Sequence, residues 1–236
     1  LPAGKNFTSV MAGRASACAL SANGDLYCWG ANAVGQVGNG STATQATPVL
    51  VAGPNATTGG LAGIPVMNLS TSGSFNDHFC VVAGTAPTNG KAYCWGSQRQ
   101  GELGQGNNTA IGSSDPYYLT TPTLVNKGAM AGLIISAISV EGRSNNQDRV
   151  GPKNGIDSKA TAHSCAIGYV SSSLNSKAVC WGSNLDGYLG LGASGVMGLG
   201  SNYFPAWIYS TPQNVDATGL LNNKTVTEIA TSDMGS

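Results

Sequence analysis

The tripeptide Cys-Trp-Gly occurs three times in this chain, at residues 28–30, 94–96 and 180–182. Each copy follows another cysteine and precedes a Gly-x-x-Gly segment and then a Thr-Pro pair; the Gly-x-x-Gly segments are residues 35–38, 101–104 and 187–190. Such self-similarity is the signature of a repeat architecture, in which each unit buries its apolar face against its neighbours. The chain is therefore expected to fold as a row of similar units.

Each unit contains short apolar stretches separated by Gly, Pro, Asn and Ser, and no long stretch has the apolar spacing of a helix. This pattern predicts an all-β fold of β-propeller-like repeats, with one blade per repeat. We expect a single repeat domain over residues 1–236. Its repeats lie at about 7–65, 66–132 and 133–225, and residues 226–236 start a fourth with its first strand.

The order of these features resembles the regulator-of-chromosome-condensation repeat, in a secreted bacterial variety with disulfides inside each repeat. The resemblance runs from Phe7 to Ser236 and includes His-x-Cys, Cys-Trp-Gly, the Gly-x-x-Gly segments and Thr-Pro. It implies a β-propeller of four-stranded blades, commonly about seven, whereas propellers have about 4–8 blades in general. Three full blades and one strand are fewer, so the chain is expected to be part of a larger propeller, or of an arc that another chain completes.

The cysteines are expected to form one disulfide in each repeat. Cys18 and Cys28 lie five residues on either side of Asn23, and Asn23-Gly24 is a favoured pair for a tight hairpin turn. Cysteines that face each other across two antiparallel strands are within the span of a disulfide. The same repeat positions then predict the other two pairs, Cys80–Cys94 and Cys165–Cys180.

Two alternatives for these residues are free buried thiols and a zinc site. His-x-Cys occurs at His78 and His163, but Ser16 takes that position in the first repeat and no Cys-x-x-Cys is present. The resemblance implies that both histidines hold a blade turn through hydrogen bonds. No metal site, cofactor or catalytic residue is predicted, because the Gly-x-Gly-x-x-Gly at 190–195 lacks its strand–helix context and no nucleophile elbow is present.

The three repeated tryptophans, Trp29, Trp95 and Trp181, are predicted to pack in the core against neighbouring blades, because they hold equal repeat positions. Trp207, in the longest insertion of the third repeat, is different because the other repeats lack it. The second repeat also has aromatic residues before its Thr-Pro, at Tyr117-Tyr118, so packing within the blade is the alternative to binding. The other insertion, from Arg143 to Ala162, holds six of the chain's 22 charges. Loops of this kind commonly carry binding sites. The candidate partner-binding residues are Tyr203, Phe204, Trp207, Tyr209, Arg143, Arg149 and Lys153.

Charge and hydropathy restrict the class of partner. The 11 basic residues equal the 11 acidic residues, and charged residues are only 9% of the chain. The chain therefore has no basic surface for nucleic acid, and no apolar run is long enough to span a membrane. The first residues do not resemble a signal peptide, so either a leader has been removed or the chain starts inside a longer protein.

The predicted function is that of a non-enzymatic extracellular or cell-surface module for binding or adhesion, such as a pilus or filament component. Three disulfides favour an oxidising compartment. The partner is expected to be a protein or glycan on another cell or subunit, and exposed strand edges favour self-assembly. The alternatives are a secreted inhibitor of an enzyme such as a β-lactamase, a hydrolase or lyase, and the guanine-nucleotide-exchange regulator that the resemblance implies.

Overall fold

The computed structural model contains three four-stranded antiparallel sheets, one for each Cys-Trp-Gly copy. It describes residues 1–71, 78–85, 87–98, 100–106, 118–143, 161–171, 175–184, 187–192, 208–215 and 224–231. These residues contain no α-helix, and they include short 3-10 turns at Pro87–Asn89 and Gly128–Met130. The all-β blade fold predicted from the repeats is confirmed.

Each sheet takes four consecutive strands in chain order. The first sheet contains β1 (Phe7–Ala12), β2 (Ser16–Ser21), β3 (Leu26–Gly30) and β4 (Gln45–Ala52). The second contains β5 (Val66–Thr71), β6 (His78–Ala83), β7 (Lys91–Ser97) and β8 (Tyr118–Leu124). The third contains β9 (Ile134–Arg143), β10 (Thr161–Tyr169), β11 (Lys177–Ser183) and β12 (Ile208–Asn214).

The cysteines bond within each sheet in the three pairs that the sequence predicts. The hairpin turn at Asn23-Gly24 places Cys18 directly opposite Cys28, with Gly24 at a φ of 88°. Such a φ is easily adopted only by glycine. The three S–S distances are 2.11, 2.08 and 2.13 Å, for Cys18–Cys28, Cys80–Cys94 and Cys165–Cys180.

A buried carboxylate joins the first hairpin to the connection that leads to the second sheet. Asp25 accepts hydrogen bonds from the Asn55 side chain at 2.6 Å and the Asn55 backbone at 3.0 Å, and it pairs with Lys5 at 3.2 Å. Burial alone would raise the pKa of Asp25, but the hydrogen bonds from Asn55, Asn23 and Lys5 hold it below its ordinary value. The charged form of Asp25 therefore stabilises this corner of the first repeat.

The sheets lie side by side, and their cores lie between them. One apolar cluster joins the first sheet to the second and includes Val37, Leu69 and Trp95. Another joins the second sheet to the third and includes Leu103, Ile138 and Trp181. First strands of adjacent sheets are also in contact, β1 with β5 and β5 with β9. This arrangement is an arc of three blades.

The predicted first strand of a fourth blade is not a strand in the structure. Residues 224–231 belong to no sheet, yet the Thr231 amide donates to the Ser139 hydroxyl at 3.0 Å. One sheet earlier, the Val140 amide of β9 donates to the Ser70 hydroxyl of β5 at 3.1 Å. Residues 224–231 therefore lie where a following first strand would lie, but no second strand of that repeat is present among the described residues to pair with them.

Candidate binding face

Both long insertions of the third repeat are attached at the same end of the third sheet. Arg143, which ends β9, is opposite Thr161, which begins β10. Ser183, which ends β11, is opposite Ile208, which begins β12. Because His163 is also opposite Gly182, these four strand ends lie at the same end of the third sheet. We call this end of the three sheets the loop face.

The candidate partner-binding residues divide between described and undescribed segments. Tyr203, Phe204, Trp207, Arg149 and Lys153 lie outside the described residues. The backbone of Arg143 is described as the last residue of β9. Tyr209 lies opposite Gly182 in β12 and is half-buried against the cluster of Cys165, Cys180 and Leu189. Its ring therefore contributes to packing, and a binding role for these residues stays a prediction.

Under the loop face, a buried hydrogen-bond network connects the second sheet to the third. The Ser164 hydroxyl donates to the Glu102 carbonyl at 2.8 Å, and the Trp181 indole donates to the same oxygen at 2.8 Å. Because Ser164 has only one hydroxyl proton, it accepts the hydrogen bond from His78, whose Nε2 is 3.2 Å away. His78 is thus protonated on Nε2, and its buried Nδ1 has no hydrogen-bond partner among the described residues.

The side chain of Gln100 bonds the third sheet, and the side chain of Glu102 holds the same segment within the second repeat. The Ala162 amide donates to the Gln100 side chain at 2.8 Å. The Glu102 carboxylate is buried and accepts hydrogen bonds from the Ser97 hydroxyl at 3.1 Å and the Gln100 amide at 2.6 Å. These contacts are structural, because each polar atom involved is directed at another part of the scaffold.

Burial keeps both histidines neutral at physiological pH. Burial, together with a smaller contribution from the nearby His163, lowers the pKa of His78 to about 3. Burial also lowers the pKa of His163, whose ring stacks on Tyr188 with centroids 5.6 Å apart. Among the described residues, the hydrogen bond of neutral His78 joins the second sheet to the third.

The sequence did not identify the cross-sheet network. The resemblance implied that the histidines hold a blade turn, but the structure has His78 bonded to Ser164 in the adjacent sheet. Gln36 and Glu102 hold the same position in their repeats, and this was the sequence signal for the contact between sheets. The carbonyl oxygen of each accepts a hydrogen bond from the tryptophan indole of the following sheet. In the part of the chain that the structure describes, no group of three or more His, Cys, Asp or Glu residues could hold a metal ion.

The comparisons with known proteins agree with this geometry. Two family models of the regulator of chromosome condensation (RCC1) repeat match residues 23–63 and 7–36. The structure of Prp20p from Saccharomyces cerevisiae aligns over 91% of this chain with a TM-score of 0.56 and 15% identity. Residues 7–63 match the RCC1 repeat, and the chain has the fold of RCC1-type β-propeller blades. A second structure, yeast RCC1 (Prp20) bound to Kap60, aligns equally well.

This RCC1-type chain is much shorter than the proteins it resembles. It covers 39% of the Prp20p chain. It is 32% identical over 104 residues to the E3 ubiquitin-protein ligase HERC2 of Homo sapiens and of Mus musculus, which is 44% of this chain and 2% of each relative. The solved Prp20p structure is reported with its binding to Gsp1p and histones.

None of the helices in the described ranges is both long enough and apolar enough to cross a membrane.

Proposed function

We propose that this RCC1-type chain is a non-enzymatic extracellular module that binds a protein or glycan through its loop face. The observation that carries the proposal is the common attachment of both insertions: the strand ends at 143, 161, 183 and 208 lie along one edge of the third sheet. Rigid sheets that hold variable loops at one end are a common way of building a contact surface.

The disulfides support placing the module outside the cytosol. Each joins the second and third strands of a sheet directly under the loop face, as Cys165–Cys180 does between β10 and β11. Bonds of this kind persist in oxidising compartments and are rare in the cytosol. The low charge content also argues against a partner that is recognised through many ion pairs.

The first repeat supplies short connections that can test the role of the insertions. It links β1 to β2 through residues 13–15 only, whereas the third repeat links β9 to β10 through residues 144–160. Likewise, residues 39–44 join the first Gly-x-x-Gly segment to β4, and residues 191–207 join the third Gly-x-x-Gly segment to β12. Replacing the long connections with the short ones leaves all four strands and the disulfide in place.

The experiment compares the wild-type protein with this loop-shortened variant on an array of defined glycans and on intact cells from the source organism. We expect the wild type to bind and the variant to lose binding, while both keep the same melting temperature within a few degrees. Equal binding by the two proteins, or no binding by the wild type, contradicts the proposal. Thiol alkylation before denaturation tests the compartment, and six alkylated cysteines in the native protein would exclude it.

A second candidate function is regulation of a small GTPase, and the fold shared with Prp20p favours it. Nucleotide release from Gsp1p in the presence of the purified chain is the direct test. Acceleration of release would favour this function over adhesion, whereas an unchanged rate would leave the extracellular proposal in place.

A further inference from the structure

The contact between the second and third sheets contains a buried histidine at a position where the contact between the first and second sheets has a serine. His78 and Ser16 hold the same repeat position, because each lies opposite the glycine of Cys-Trp-Gly in its own sheet. Both are buried, with 0% and 6% of their surface exposed. We call the contact between the first and second sheets the first contact, and the contact between the second and third sheets the second contact.

The residue that faces this position also differs between the two contacts. Ser164 accepts the hydrogen bond of His78 in the second contact, and Phe79 holds the place of Ser164 in the first contact, since each directly precedes the first cysteine of its sheet. A Cβ built on Gly13 would lie 3.4 Å from Ser16 Oγ and 3.6 Å from the Phe79 ring. A ring thus faces a small side chain in both contacts, but the ring of His78 can take up a proton and that of Phe79 cannot.

Protonation of His78 would place an unpaired donor in the second contact. Its Nε2 proton already goes to Ser164, and its Nδ1 has no hydrogen-bond partner among the described residues. A proton on Nδ1 therefore adds a buried charge and an unsatisfied N–H, and each costs free energy. When the two sheets separate, water solvates the charge and accepts the hydrogen bond. Burial accordingly lowers the pKa of His78 from 6.5 to about 3.

The described charged groups around His78 do not compensate this charge. The Glu102 carboxylate accepts hydrogen bonds within its own repeat, and the Glu141 carboxylate accepts one from the amide of the next residue. Neither forms an ion pair with His78. The nearby His163 contributes to the low pKa of His78, because two positive charges repel. Three further charged side chains lie outside the described part of the chain, those of Asp77, Arg99 and Arg143.

Each of the two contacts also contains a disulfide. Cys18–Cys28 belongs to the apolar cluster between the first and second sheets, and Cys80–Cys94 belongs to the cluster between the second and third. All four of these cysteines are 0% exposed. The Cys80 sulfur is 4.0 Å from the hydroxyl of Ser164, the group that bonds His78. A reductant therefore reaches either disulfide when the sheets that cover it separate.

We propose that the second contact is an acid-sensitive contact. A proton on His78 Nδ1 opens it locally and exposes Cys80–Cys94, whereas the first contact, which has Ser16 at this position, stays closed and keeps Cys18–Cys28 covered. The chain thus contains two similar contacts, of which acid loosens one. This proposal is independent of the binding function proposed for the loop face.

The rate at which each disulfide is reduced measures how often its contact opens. A water-soluble phosphine is the probe, because it acts in acid. It gives two electrons to the S–S bond, takes the oxygen atom of one water molecule, and the two hydrogens of that water complete two thiols. Oxidised protein is incubated with the phosphine at several pH values, the thiols are blocked, and mass spectrometry of the digested protein gives the reduced fraction of each pair.

The ratio of the two rates, Cys80–Cys94 over Cys18–Cys28, cancels the pH dependence of the reductant itself. Below about pH 6.5 the open state binds the His78 proton and the closed state does not, so opening becomes more favourable as the pH falls. We expect the ratio to rise by up to about tenfold for each pH unit, and by up to about 100-fold from pH 6.5 to pH 4.5.

Two variants identify the responsible group. His78→Gln should remove the acid acceleration, because glutamine can donate to Ser164 but takes up no proton in this range. His163→Gln is the matched control and should retain it. Adjacent residues of a strand point to opposite faces of a sheet, so His163 lies on the other face of β10 from Ser164, and its ring stacks on Tyr188.

A wild-type ratio that stays constant as the pH falls would overturn the proposal, and this measurement needs no variant to fold. Equal reduction of both disulfides at every pH would show that the whole chain unfolds together, which also contradicts it. So would an acid acceleration that His78→Gln retains while its circular dichroism and melting temperature at neutral pH match those of the wild type.

Discussion

His78 makes the contact between the second and third sheets sensitive to acid. Its ring is fully buried and donates to Ser164, and burial holds its pKa at about 3. In the unfolded chain the same group titrates near its ordinary value of 6.5. The unfolded state therefore binds more protons between these two pH values, so the free energy of unfolding rises with pH in that window. Above the window, the contribution of His78 to this free energy no longer changes with pH.

We predict that His78→Gln flattens this dependence. For the wild type, the free energy of unfolding should fall by up to about 1.4 kcal/mol per pH unit from His78 as the pH drops from about 6.5 toward 3. Glutamine can donate to Ser164 but does not titrate. Urea unfolding at a series of pH values measures the slope, and an unchanged slope in the variant would show that His78 is not the responsible group.

Gly104 is needed both for its backbone angle and for the space above it. Its φ is 68°, and an added Cβ would approach Trp181 Nε1 and Val125 Cγ1 at 3.0 and 2.8 Å. Gly132 has a similar φ of 77° but nothing within 4 Å of the added atom. Alanine substitutions at Gly104 and Gly132 therefore separate the free-energy cost of the backbone angle from the cost of steric overlap.

We predict that Gly104→Ala lowers the free energy of unfolding by about 2–4 kcal/mol, whereas Gly132→Ala lowers it by about 1–2 kcal/mol. Denaturant unfolding of the two variants checks this difference. Equal losses would mean that the tryptophan and valine move aside without cost.

At the scale of the strand, the disulfides lock each central hairpin. Cys80 and Cys94 are directly opposite each other in β6 and β7, and both are fully buried between the second and third sheets. The bond closes a segment with a sequence separation of 14. A closed loop of this length restricts the unfolded chain and stabilises the folded one by about 3 kcal/mol.

The double variant Cys80→Ser/Cys94→Ser should accordingly lose about 2–4 kcal/mol of unfolding free energy. The reduced wild type lacks all three disulfides without any substitution, so its loss sets the upper limit for the double variant. Thermal unfolding of the three samples gives the comparison. No difference between oxidised and reduced wild type would mean that the hairpins do not depend on their disulfides.

At the scale of the whole molecule, the position of a sheet in the arc decides how much a residue contributes to the free energy of unfolding. Val10, Leu69 and Ile138 are equivalent residues of the three repeats. Each directly precedes the residue that lies opposite the first cysteine of its sheet. Leu69 and Ile138 are covered by the preceding sheet and belong to the two main clusters. Val10 has no preceding sheet in the described structure and is exposed.

We predict that Leu69→Ala lowers the free energy of unfolding by about 2–5 kcal/mol, while Val10→Ala lowers it by less than about 1 kcal/mol. Measurement at low protein concentration isolates the single chain. A large loss for Val10→Ala under those conditions would mean that another part of the chain covers β1.

Repetition, turn residues and cysteine spacing were enough to predict the blades and the three disulfide pairs. These features act locally, because a hairpin with Asn23-Gly24 at its turn places residues 18 and 28 opposite each other whatever surrounds it. The contacts between blades could not be predicted from these local features. The sequence predicted equal packing for all three repeated tryptophans, but Trp29 differs from Trp95 and Trp181 because its environment depends on a neighbouring sheet.

Local sequence thus determined the strands, their register at the cysteines and the number of complete sheets. Only the tertiary structure decided that the Glu102 carbonyl receives two donors from the third sheet, that His78 bonds to Ser164, and that both insertions leave from one edge. The physical reason is distance along the chain: these groups are 62 to 86 residues apart, and only the packing of adjacent sheets brings them together.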